Sequence, residues 1–223
     1  MDKLLEILTQ MSGWIQPLIE ASWITLSLSV LSVIIGVIGG TFIALGRISK
    51  NKIISKICGV YIFLFRGTPL LMQLFFVYYA LPLAIPALTI QNRFAAALIA
   101  FSINSAAYQA EIIRAAIQSI DKGQSEAAMS LGLSGWQTML LVIIPQSIKR
   151  MIPPIGNEFI MVLKDTSLVS TIAIVDLMKK TSQIQSSQAT ALVYLPSAVI
   201  YLIFTGVFTW LFNRLEHHHA RYE

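Results

Sequence analysis

Charge is almost absent from long stretches of this sequence. Residues 21–46, 67–92, 94–110 and 181–213 contain no Asp, Glu, Lys or Arg, and residues 151–163 contain only Glu158. About 20 largely apolar residues are needed for a helix to cross the hydrocarbon core of a bilayer. The apolar run 57–65 leads into the second stretch, and the third continues as a helical pattern to Ile117. The chain therefore reads as an all-α integral membrane protein with five transmembrane helices. The fourth span is the shortest, since it starts at Pro153-Pro154 and ends at Lys164-Asp165. Composition points the same way. Charged residues make up 12% and hydrophobic ones 56%, with a mean hydropathy of +0.71. A soluble domain carries about 25% charged residues, so lipid is the main solvent here.

The net charge is +5. Its Lys and Arg residues lie in short runs between apolar stretches, which leaves no soluble basic domain to bind nucleic acid. Those runs instead orient the chain. An odd number of spans puts the termini on opposite sides, and short loops rich in Lys and Arg stay inside. With the N-terminus outside, Arg47, Lys50, Lys52, Lys56, Arg114, Lys122, Lys149, Arg150, Arg214 and Arg221 fall inside. Lys3, Arg93, Lys179 and Lys180 fall outside, and Arg66 and Lys164 sit at or within spans. The bias gives an outside N-terminus and an inside C-terminus. The first apolar segment reads as an uncleaved insertion signal.

Ahead of the first span, Leu4, Leu8, Met11, Ile15 and Leu18 form one helical stripe. Residues 1–20 read as an amphipathic helix in the outer interface, and the same stripe also fits a helix packed on the protein. Neither a repeat nor a linker divides the chain, so residues 1–223 read as one domain. The single cysteine, Cys58, excludes an internal disulfide, and no metal-ligand spacing is present. There is no Gly-Lys-Ser or Gly-Lys-Thr, so the chain lacks an ATP site of the Walker type. His217, His218 and His219 read as part of a basic tail.

The connection 121–150 is too long for a simple link and too patterned for disorder. Residues 124–131 read as a short helix, with Ala127 and Ala128 on a closely approachable face. Gly132 stops that helix. Ser134 caps a second one, which runs to about Ile144, and Pro145 breaks the chain before the next span. The product is a helix–Gly–helix knob on the inner side.

Glu126-Ala127-Ala128, then Gly132, then Ile144-Pro145, resembles the EAA loop of ATP-binding-cassette importer permeases. Phe65-Arg66-Gly67-Thr68-Pro69-Leu70-Leu71 is similar to the RGTPLL signature of polar amino acid permeases. Tyr108-Gln109-Ala110-Glu111-Ile112-Ile113-Arg114 resembles their Y-x-A-E-x-x-R helix. Gly156-Asn157-Glu158-Phe159 and Lys164-Asp165-Thr166-Ser167-Leu168 resemble their GNxF and KDTSL stretches. Ala115-Ala116 departs from the family, which often has Gly-Gly there. The likeness covers about residues 19–216 and implies a type I importer permease fold in a bacterial inner membrane. It implies further that Glu126, Ala127, Ala128, Leu131, Gly132 and Leu133 dock a separate ATPase, which binds the ATP and Mg. The other implied partners are a second permease subunit, identical or paralogous, an extracytoplasmic solute-binding protein and an amino acid. The likeness implies no cofactor in this chain and the role of a transporter subunit, not an enzyme.

Polar groups at membrane depth usually face a cavity or a partner. Asn104, Tyr108 and Glu111 share one helical face, with Ser105 beside them. Lys164, Asp165, Thr166 and Ser167 end the fourth span. If the third span runs inward and the fourth outward, the two clusters can meet. Asp165 and Glu111 could then hold an ammonium or guanidinium group, and Lys164 or helix-end amides a carboxylate. Alternatively, Lys164–Asp165 and Glu111–Arg114 only pair with each other. The acids favour a basic amino acid such as arginine, lysine or histidine. Glutamine, glutamate and cystine are the alternative cargoes, and a non-transporting membrane anchor or signalling scaffold is the alternative of another class.

Overall fold

The computed structural model describes the backbone of residues 2–220 and the side chains of residues 9–217. The described backbone is helical, without strands. Its elements are α1 (Asp2–Arg47), α2 (Lys52–Gly67), α3 (Leu70–Ala84), α4 (Arg93–Gln118), α5 (Lys122–Ser130), α6 (Gly135–Thr138), α7 (Ile144–Asp165), α8 (Leu177–Gln188) and α9 (Tyr194–Ala220). Among the described residues, α1, α4 and α9 are each long and apolar enough to span a membrane. The pair α2 and α3 passes jointly across a break at Thr68-Pro69. Pro69 disfavours helical backbone at the residue before it, and Thr68 is extended, with φ −119° and ψ 146°. The expected fourth span lies inside α7, where Lys149, Arg150, Glu158, Lys164 and Asp165 keep it out of this set.

Two sequence expectations give way here. The N-terminal stripe is not a separate interfacial helix, because α1 runs unbroken from Asp2 to Arg47 with Pro17 inside it. Leu4 and Leu8 lie outside the described side chains. In the rest of the stripe Leu18 is buried, Met11 is partly buried and Ile15 faces outward, while Trp14, beside the stripe, is buried. The break expected at Pro145 is also absent. Between α6 and α7 the chain makes a π turn, Met139–Ile143, in which the Ile144 amide bonds the Met139 carbonyl. Widening the turn ahead of a proline reduces the ring's clash with the preceding turn. Pro153 and Pro154 are likewise carried inside α7.

The chain forms two compact units. The first comprises Met1–Ser32, Leu70–Phe101 and Phe159–Phe208. Its core cluster joins Trp14 and Leu18 of α1 to Leu177 and Ile184 of α8 and to Val193, with Met11, Ile200 and Tyr201 packed against them. Polar bonds tie the same elements together. Trp14 Nε1 donates to Gln188 Oε1 at 2.8 Å, and the Leu177 amide donates to Thr25 Oγ1 at 3.3 Å.

The second unit comprises Val33–Pro69, Ser102–Glu158 and Thr209–Glu223. Its cluster is Ala44, Ile62, Ala110, Ile113, Ile117, Ile120 and Ile143. Here α1 and α4 touch through small residues. A Cβ on Gly36 would stand 2.5 Å from Ser105 Oγ. One on Gly40 would stand 2.9 Å from both the Ala106 carbonyl oxygen and the Ala110 nitrogen. Gly36 and Gly40, one turn apart, let the two backbones approach as small residues do in membrane helix pairs. Gly156 of α7 does the same for the Phe212 ring, 2.7 Å from where its Cβ would be.

Candidate functional site

The segment 121–150 lies wholly in the second unit. Asp121 caps α5 by accepting the Gly123 amide at 2.6 Å. The helix ends in a Schellman motif. The Leu133 amide donates to the Ala128 carbonyl and the Gly132 amide to the Met129 carbonyl, with Gly132 at φ +86°. That φ is open to glycine at little cost. Ser134 then caps α6 in a reciprocal pair with Gln137. Its hydroxyl accepts the Gln137 amide, while Gln137 Oε1 accepts the Ser134 amide. The expected helix–Gly–helix knob is therefore built by three local capping devices. Its surface differs from expectation in one respect. Ala127 is exposed, but Ala128 is buried, so the two alanines do not form one outward face. Glu126, Met129, Leu131 and Trp136 stand outward, Leu131 and Trp136 at 85% and 71% exposure. Trp136 was not anticipated from sequence, though an aromatic inside a capped loop helix was a signal for it.

The start of α7 is braced to the turn after α4 and to α5. Arg150 Nη1 donates to the carbonyl and hydroxyl oxygens of Ser119, the latter at 2.9 Å. Gln146 Nε2 donates to Gln124 Oε1 at 3.2 Å.

The same unit holds a cavity of about 570 Å³. Arg47, Arg66, Tyr108, Glu111 and Arg114 supply its polar lining. The Arg66 guanidinium stacks 5.2 Å from the Tyr108 ring centroid. Both Glu111 oxygens accept from Arg114, which also donates to Gln118. The cavity thus carries three guanidinium groups and one carboxylate that is already engaged. A second cavity of about 390 Å³ continues from Arg66, Tyr108 and Glu111 past Ala115 to Ser119 and Arg150.

Of the anticipated substrate residues, only Tyr108 and Glu111 line these cavities. Asn104 donates to the Phe65 carbonyl at 3.0 Å and fastens α2 to α4. Ser105 is fully buried beside Gly36. The other group belongs to the first unit. Lys164 is exposed, Asp165 is half-buried, Thr166 is buried and bonds the Leu163 carbonyl, and Ser167 is partly buried. No ion pair joins Lys164 to Asp165 among the described residues. Arg47 and Arg66 were counted in the sequence as orientation and helix-end charges, and their shared cavity has no sequence-local signal.

Residues 32–220 match the family described as binding-protein-dependent transport system inner membrane component. The chain is 41% identical over 200 residues to the glutamine transport system permease protein of Escherichia coli (strain K12), covering 89% of this chain and 91% of that protein. It is 38% identical over 218 residues to an L-cystine transport system permease protein of Bacillus subtilis (strain 168), covering 96% and 91%. A solved structure described as the crystal structure of an amino acid ABC transporter with histidines matches with a TM-score of 0.87 and 42% identity, over 94% of this chain and 97% of that one. A methionine ABC transporter in an inward facing conformation shares the fold alone, at a TM-score of 0.77 and 16% identity. Three or four apolar spans, a capped knob with outward Glu126 and Gly132, and this likeness over nearly the whole length converge. The chain belongs to the inner membrane components of binding-protein-dependent transport systems, as a permease subunit of a polar amino acid ABC importer.

Proposed function

We propose that this subunit passes a neutral polar L-amino acid, of the glutamine or cystine class, across the inner membrane. The observation that carries the choice is the engaged state of Glu111. Its carboxylate is held by Arg114, so the only acid lining the 570 Å³ cavity is not free to receive a cationic side chain. Arg47 and Arg66 in the same cavity favour a carboxylate and disfavour a guanidinium or ammonium side chain. The glutamine and cystine permeases among the relatives support the same class. The basic cargo expected from sequence remains a second reading. It is favoured by Asp165, half-buried and without an ion-pair partner among the described residues, and by the related transporter described with histidines. Labelled glutamine, cystine and arginine, offered to the reconstituted transporter, separate the two. Uptake of arginine in preference to the others would reverse the assignment.

The knob docks a separate ATPase, which holds the ATP and Mg. Glu126, Ala127, Leu131, Gly132 and Leu133 form the docking segment together with Met129 and Trp136, while Ala128 seats α5. Two copies of the permease, or this chain and a paralogue, enclose the pathway, and a binding protein delivers the amino acid from outside. The N-terminus is outside and the knob inside, in line with the Lys and Arg bias. The Arg150–Ser119 brace lets knob movement carry the inner end of α4, and with it Tyr108 and Glu111. Asp165 contacts the substrate independently, alongside Lys164 and Ser167, while the buried Thr166 only closes its own turn. Asp165→Asn lowers uptake while the ATPase still co-purifies, and loss of co-purification would remove this role.

A further inference from the structure

A second basic cavity in the second unit lies apart from the knob. It measures about 480 Å³ and is lined by Arg47, Ser49, Lys52, Ser55, Lys56 and Phe63, with no acid among its lining residues. Arg47 is fixed within it. Its Nη1 donates to Ser55 Oγ at 2.8 Å, and that hydroxyl donates to the Arg47 carbonyl at 2.8 Å. The guanidinium also lies over Gly59, where a Cβ would stand 3.3 Å from Arg47 Nε. Lys52 and Lys56, one turn apart on α2, are exposed and have no ion-pair partner among the described residues. Beyond the charges, α2 presents Ile53, Ile57, Val60 and Phe63 outward, Phe63 at 76% exposure. The end of α1 and the start of α2 thus form a cationic pocket, with an apolar flank of α2 directly beyond it.

We propose that this pocket holds the phosphate of an anionic phospholipid, with the acyl chains lying along the apolar flank of α2. A headgroup phosphate matches three cations and the Ser49 hydroxyl, and its chains match the uncovered flank. A soluble anion would use only the first of these features. The leaflet follows from the orientation proposed above. The pocket itself does not depend on that orientation; it shares Arg47, Gly59 and Phe63 with the 570 Å³ cavity, whereas Lys52 and Lys56 line this pocket and neither of the other two cavities.

Native mass spectrometry of the detergent-solubilised transporter complex tests this by reading bound lipid without transport. Phosphatidylglycerol is retained by the unmodified complex and lost on combining Lys52→Gln with Lys56→Gln, with affinity falling by roughly fivefold for each lysine. Changing Lys179 and Lys180 to Gln leaves retention unchanged. Phosphatidylcholine is not retained, and millimolar inorganic phosphate does not displace the lipid. Equal phosphatidylglycerol retention by the Lys52/Lys56 variant would overturn the proposal. So would equal retention of phosphatidylcholine, which would indicate apolar contact alone, or displacement by phosphate, which would indicate a soluble-anion site.

Discussion

Gly132 has empty space around the position of its missing Cβ, so its requirement is conformational and not steric. At φ +86° an L-residue costs roughly 1–2 kcal/mol, and a β-branched one is a true outlier. Gly132→Val therefore distorts the Schellman turn without filling any space. Membrane insertion stays intact, while ATP hydrolysis is uncoupled from uptake in reconstituted vesicles. Normal uptake per ATP would show that the turn does not set the docking geometry. Asp176 makes a different case. It caps α8 by accepting the amides of Met178 and Lys179, and burial pushes its carboxyl from 3.8 up to about 6. The fold therefore binds this proton more tightly than the unfolded chain does. The resulting stabilisation is complete below a pH of about 4 and is lost as pH rises through about 6. Thermal midpoints of the solubilised complex measured over that range fall with pH, and Asp176→Asn flattens the slope. Gly132 could be identified from sequence by its place after a short helix. Ala173 and Ala189, at φ 60° and 51°, could not, because alanine gives no hint of left-handed backbone.

At the scale of elements, the α1–α4 contact is the least tolerant of change. Gly40 faces backbone atoms of α4, which cannot rotate away as a side chain can. Gly40→Leu costs at least about 1–3 kcal/mol by overpacking, seen as a lower thermal midpoint and poor recovery of the complex. The same substitution at Gly13, which has nothing within 4 Å, is the control. The Arg150–Ser119 brace is tested separately. Arg150→Ala leaves the ATPase bound but lowers uptake per ATP several-fold, because the knob then moves without α4. An unchanged ratio would make the brace merely structural. The apolar stretches and caps of these elements could be read directly, since Asp121, Ser134 and Gly132 act on their immediate neighbours. The prolines misled. Each removes one amide donor locally, but a π turn before Pro145 and continued helix through Pro153-Pro154 accommodate that loss. The pair Gly36 and Gly40 was not singled out from the sequence, and the structure identifies its partners as Ser105, Ala106, Gln109 and Ala110.

At the scale of the whole molecule, apolar surface decides what surrounds the chain. The apolar window of α4 is 67% buried but that of α9 only 17%, with Leu202 and Trp210 outward. Such surface is stable only against lipid or another subunit. Membership of the importer family was legible because its motifs are contiguous in sequence. The charge balance of the cavity was not, because Arg47, Arg66, Glu111 and Arg114 come from three helices. Reading Glu111 alone gives an acid available for a basic cargo. Seen with Arg114, it is an occupied carboxylate in an electropositive cavity. The direct test is ATP-driven uptake in vesicles containing the permease, its ATPase and its binding protein, with glutamine and arginine compared at equal concentration. Saturable, ATP-dependent glutamine uptake that excess arginine does not inhibit is the predicted result. Preferential arginine uptake, or glutamine uptake abolished by arginine, would contradict it.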